Sequence, residues 1–181
     1  MTSLMPLDPL PVWIAAAAIA TLLAQAAVSK FADLALLEQH LIAYGLPSRG
    51  LALATRLLPA VELALALALL TPLRTAAALA AAALLLAYAA LMGHHRWQGR
   101  RLDCGCGGEP LAVSWPLVAR NLVLTGLALL AATPTTARVL GLPDLALVLA
   151  SVALATLLYA AFHQLLRLGP PQRSAPYPHS R

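Results

Sequence analysis

Five apolar runs, each near the length that crosses a bilayer, constrain this chain more than any other feature. They extend from about Val12 to Ser29, Leu51 to Leu70, Thr75 to Met92, Trp115 to Ala132 and Pro143 to Leu166. A spanning helix needs about 20 mostly apolar residues. Inside hydrocarbon the backbone must satisfy its own hydrogen bonds, which leaves helices or closed barrels as the spanning structures. These runs are continuous and rich in Ala and Leu, not alternating, so helices are expected. Only 10% of residues are charged and 61% are hydrophobic, against about 25% charged in a soluble domain. The expected fold is an all-α membrane protein, a bundle of about five transmembrane helices. Residues 1–169 read as a single multi-pass domain, and residues 170–181 as a disordered proline-rich tail.

The connections support this order. Thr71-Pro72-Leu73-Arg74 is a tight reversal, so the second and third runs should pack antiparallel. Thr133-Pro134-Thr135-Thr136 breaks the chain after the fourth run. The first ten residues carry no Lys or Arg, so the N-terminus does not read as a secretory leader. Alanine-rich stretches such as Ala76 to Ala83 allow close helix approach, which is how helices associate where lipid supplies no hydrophobic drive.

The net charge of +5 is not a nucleic-acid signal here, because aromatics are only 5% and offer no stacking platform. In a membrane protein, basic residues mark the loops that stay in the cytoplasm. Lys30, Arg49, Arg56, Arg96, Arg100, Arg101, Arg167, Arg173 and Arg181 fall on one set of helix ends and loops, and Arg74 and Arg138 on the other. Charge asymmetry therefore favours an N-terminus outside and a C-terminus inside. Alternation of the helices also gathers Lys30, Arg56, Glu62, His94, His95, Cys104, Cys106 and Arg120 at one end of the bundle, whichever way it faces.

The chemistry-bearing residues are few. Cys104 and Cys106 are the two cysteines of the chain, in Asp103-Cys104-Gly105-Cys106-Gly107-Gly108. Gly105 tolerates unusual backbone angles, so two sulfurs one residue apart could close into a strained, exchange-prone ring. Arg100 and Arg101 would favour the reactive thiolate. The competing readings are reduced, inert loop cysteines and a soft-metal site with His94 or His95. Adjacent histidines point about 100° apart on a helix, so one of them at most could join the cysteines. Glu62 lies about two turns inside the second run, where an unpaired charge is costly. It should be protonated, or paired with Lys30, Arg56 or Arg120. It could relay protons to a thiol or simply bond two helices together. Pro59 should kink that helix one turn earlier. Lys30 reads as an interfacial anchor or as the partner of Glu62, and Arg120-Asn121 as a polar pair near the start of the fourth helix.

These residues together resemble the MauE family of integral-membrane methylamine-utilisation proteins. The likeness rests on Ser29-Lys30-Phe31, Leu58-Pro59 with Glu62-Leu63, the Asp103 to Gly108 loop, and Val113-Ser114-Trp115 leading into Ala119-Arg120-Asn121. It covers about residues 10 to 166. One departure is Gly107-Gly108, where the family commonly has an aromatic after the second cysteine. The resemblance implies a protein needed for maturation of the methylamine dehydrogenase small subunit, which carries many disulfides and a tryptophan tryptophylquinone. It implies a thioredoxin-like, MauD-like partner, and a quinone-bearing dehydrogenase subunit or a related protein as client. Such a partner works outside the cytoplasm, whereas charge counting starts the cysteine loop inside. The resulting expectation is a component of thiol–disulfide exchange. Cys104 and Cys106 would exchange electrons, Glu62 would manage protons, and Lys30, Arg120 and Asn121 would support them. No metal or other cofactor is called for. The alternatives are a non-catalytic membrane scaffold for a redox partner and a metal or small-molecule carrier.

Overall fold

The computed structural model describes residues 7–99 and 113–168, apart from the side chains of residues 167 and 168. Six helices follow one another: α1 (Pro9–Ala32), α2 (Leu34–Ala43), α3 (Ser48–Ala68), α4 (Arg74–Trp97), α5 (Trp115–Ala131) and α6 (Leu142–Leu168). The five apolar runs correspond to α1, α3, α4, α5 and α6. By length and composition α1, α3, α4 and α6 suffice to cross a membrane. At 17 residues, α5 is about 26 Å long and lies at the short end of the spanning range.

Local chemistry sets the boundaries. The Asp8 side chain caps α1 by accepting from the Leu10 N–H at 2.8 Å, and Pro9 and Pro11 occupy positions where a helix has no N–H to lose. Asp33 ends α1 and starts α2, its carboxylate accepting from the Leu36 N–H at 2.8 Å. Gly45, with φ of +91°, takes the left-handed conformation that closes α2. The helix α2 is the element that the apolar runs did not reveal. It packs against α3 and, more lightly, α1. Between α3 and α4, Arg74 N–H donates to the Thr71 carbonyl at 3.0 Å, so the expected tight reversal is formed.

The helix α1 is the hub: it touches α2, α3, α5 and α6, while α4 packs chiefly on α5. The core is built from small side chains. Ala15, Ala16 and Ala20 of α1 meet Ala66 of α3, Ala77, Ala78, Ala81 and Ala82 of α4, and Ala128 and Ala131 of α5, with Ile19, Leu23, Leu69 and Leu85 filling between them. Close approach of backbones replaces the hydrophobic drive that lipid cannot give. Large apolar side chains point outward instead, among them Leu53, Leu67, Leu86, Leu147 and Leu157. The helix α6 is the most peripheral, with Val148 its one buried residue among those described.

At the end of the bundle where α1 begins, polar contacts tie segments together. Arg138 Nη1 donates to both Asp8 oxygens, at 2.9 and 2.7 Å, and its Nη2 bonds Asp144. The Leu10 N–H first, and then the Arg138 guanidinium, hold the Asp8 carboxyl below its ordinary value. Arg74 donates to the Ala131 and Thr133 carbonyls at the end of α5 and lies over the Trp13 ring.

Candidate functional site

The opposite end of the bundle holds the buried polar residues. Glu62 is 1% exposed and Lys30 is 7% exposed, values low enough to make each charge depend on the other. Lys30 Nζ donates to both Glu62 oxygens, at 2.8 and 2.9 Å. Of the three cations that could have paired with Glu62, the structure brings up Lys30. Arg56 lies on the exposed side of α3, and Arg120 turns to α6. Tyr88 of α4 donates its hydroxyl to Glu62 Oε1 at 2.7 Å, and the Lys30 ammonium lies 5.8 Å from the Tyr88 ring centroid. Glu62 thus accepts three charge-assisted bonds from three donor hydrogens on two other helices. Pro59, one turn earlier and itself buried, has no N–H to offer the Thr55 carbonyl. The Thr55 hydroxyl bonds back to the Leu51 carbonyl at 2.8 Å.

A second group adjoins the first. Arg120 Nη1 donates to the Tyr159 hydroxyl at 3.2 Å and to His163 Nε2 at 2.8 Å. A guanidinium can only donate, so His163 accepts through Nε2 and carries its proton on Nδ1. The guanidinium also lies 5.5 Å from the Tyr159 ring centroid, and the Tyr159 and His163 rings are 4.6 Å apart. Buried Asn121 donates to the Leu117 carbonyl at 3.2 Å, one turn back on α5.

Both groups line one cavity. Lys30, Glu62, Tyr88, Arg120, Asn121 and Tyr159 face a space of about 50 Å³ whose remaining wall is Ile19, Leu22, Leu23, Ala26, Leu85 and Leu124. Each of the five bundle helices contributes a polar group. That volume holds about two waters and is too small for a drug-sized molecule, whose pockets run to about 300 Å³ or more. The arrangement can fix charge, bind water and pass a proton over short distances. A buried ion pair is a poor device for stability alone, since desolvation roughly cancels attraction. The convergence of polar groups therefore reads as a functional site.

The expected site residues divide accordingly. Lys30 and Glu62 are bonded to each other, and Arg120 and Asn121 face the same cavity. Cys104 and Cys106 lie outside the described residues. The chain enters and leaves their segment at this end of the bundle, after Gly99 and before Val113. Val113 is buried against Ala89, Met92, Leu117 and Val118, with Tyr88 and Phe162 packed beside them. His94 and His95 diverge: His95 is buried edge-on to Tyr44, with ring centroids 5.1 Å apart, while His94 is exposed and bonds Gln98 at 2.9 Å. Tyr88, Tyr159 and His163 were not singled out by the sequence. Their signal was a polar group at the same membrane depth as Glu62 and Arg120.

The family described as methylamine utilisation protein MauE matches residues 8–134. A methylamine utilization protein MauE of Paracoccus denitrificans is 54% identical over 55 residues, a stretch covering 29% of this chain and 30% of that protein. No solved structure matches the chain. The family match takes in α1 to α5 and every cavity residue except Tyr159, so this multi-pass membrane protein belongs to the MauE family.

Proposed function

We propose that this protein serves methylamine utilisation by supporting maturation of methylamine dehydrogenase or a related client, through thiol–disulfide exchange with a thioredoxin-like partner. The observation that carries this reading is the convergence of all five bundle helices on one polar cavity, at the end where the cysteine segment joins the bundle. In the exchange, a partner thiolate attacks the Cys104–Cys106 disulfide and forms a mixed disulfide. The second partner thiol then resolves it. The partner leaves as a disulfide and Cys104 and Cys106 leave as two thiols, with both electrons and both protons conserved. Glu62 takes up and returns a proton during these steps, Lys30 holds its carboxylate in place, and Arg120 and Asn121 support the cavity.

Alkylation followed by mass spectrometry tests the exchange. Under oxidising conditions Cys104 and Cys106 should resist alkylation, and mild reduction should expose both. Full alkylation under oxidising conditions, with no mixed disulfide to any partner, would overturn the proposal and favour a scaffold. The bidentate Lys30–Glu62 pair, which locks α1 to α3, is the feature such a scaffold would use.

Charge favours one orientation. With the N-terminus outside and the C-terminus inside the inner membrane, reporter fusions after Arg181 and within residues 134–142 should report opposite sides, the first cytoplasmic. A C-terminal fusion active only outside the cytoplasm would reverse the assignment and carry the cysteine segment outside with it.

A further inference from the structure

Arg56 is an exposed cation on a membrane-spanning helix, about 12 Å beyond the first residue of α3 at 1.5 Å per residue. Among the described residues neither Arg56 nor Arg49 forms a hydrogen bond or an ion pair. A charge at a lipid-facing position is costly unless it reaches the interface or finds a counter-charge there. The two arginines are seven residues apart, so they lie within about 20° of each other around the helix and about 10 Å apart along it. Both are exposed on one stripe of α3, with Leu53 between them at 64% exposure. The same stripe continues through exposed Ala60, near the middle of the helix, and on through Ala64 and Leu67 toward its far end. It faces away from Glu62, which is buried in the bundle.

The stripe is therefore graded along its length, with two cations in its first half and small or apolar side chains beyond them. A phospholipid with an acidic headgroup has the complementary gradient: a phosphate anion at the surface and acyl chains beneath. Arginine suits a phosphate because its planar fork donates two parallel bonds, and its aliphatic stem lets Arg56 lift its charge toward the interface. We propose that this face of α3 is a binding site for an anionic phospholipid, clamped by Arg49 and Arg56 and lined by exposed Leu53 and Ala60. An acidic soluble protein would meet the arginines but would leave the deeper stripe unmatched.

The test uses the full chain purified in detergent and mixed with phosphatidylglycerol and phosphatidylcholine of identical acyl chains, with retained lipid counted by native mass spectrometry. Wild type should retain phosphatidylglycerol in preference. Arg49→Gln with Arg56→Gln should lower that retention about tenfold or more, since each basic residue near the surface contributes severalfold. Arg49→Lys with Arg56→Lys should keep most of it, and Arg138→Gln at the other end of the bundle should change nothing. Equal retention of both lipids by wild type, or undiminished preference in the glutamine pair, would overturn the site. So would a glutamine pair that keeps its lipid and loses an acidic co-purifying protein. Thiol exchange does not enter this measurement, so either proposal can fail without the other.

Discussion

Cells carrying Cys104→Ser together with Cys106→Ser should make no mature client, while the variant protein accumulates in the membrane at close to the normal level. Serine keeps close to the size of cysteine and removes the sulfur, so the change is aimed at the chemistry. A thiol exchanger has no residual route once both sulfurs are gone, so loss should approach completeness. Partner binding must be measured separately, by co-purification of the thioredoxin-like protein. Loss of maturation with binding intact supports exchange. Normal maturation would remove the exchange reading and leave the scaffold.

Lys30→Met should be the most destabilising single change at the site. It keeps an unbranched apolar stem one atom shorter than lysine's and strips the cation from a carboxylate that is 1% exposed. Tyr88 remains as a donor to Glu62, but one neutral hydroxyl cannot balance a buried charge. Breaking a buried pair from one side costs about 3–5 kcal/mol. Adding Glu62→Gln removes the orphaned charge and should recover most of that loss. Unfolding of the two single variants and the double variant in detergent gives the coupling directly. Additive effects would mean that the pair contributes no interaction and that Lys30 acts merely as a hydrocarbon stem. Glu62→Gln alone keeps an acceptor for Lys30 and Tyr88 but leaves the Lys30 cation without its counter-charge. It should therefore also destabilise, by less than Lys30→Met because the ammonium sits in the last turn of α1 and can reach toward the interface. It should slow client maturation, since it cannot titrate.

Most of the bundle was legible because hydropathy alone defines a spanning helix. The runs beginning near Val12, Leu51, Thr75, Trp115 and Pro143 became α1, α3, α4, α5 and α6 with shifts of a few residues at their ends. The helix α2 escaped because a 10-residue apolar segment is too short to span and carries no distinctive periodicity. Its limits depend on Asp33 and Gly45, which act through capping and a left-handed turn. For Glu62, charge balance narrowed the partner to three cations. Choosing Lys30 required knowing that Arg120 reaches Tyr159 and His163, 39 and 43 residues further along the chain. Tyr88 and Tyr159 resembled ordinary interfacial aromatics. Only the packing of α4 and α6 turns them toward the cavity.

The sequence separation of the Lys30–Glu62 pair bears on biogenesis. The helix on which most of the others assemble precedes them in the chain, and it carries a cation whose counter-charge is 32 residues downstream. At about 5–20 residues per second of synthesis, α1 waits a few seconds before Glu62 exists. Lys30 sits in the last turn of α1, so during that wait its ammonium can reach up to the headgroups and α1 can enter lipid at little cost. When α3 arrives, the ammonium is drawn down onto the carboxylate. The ion pair therefore belongs to helix docking and not to insertion, and it registers the first helix against the third before α5 and α6 have been made.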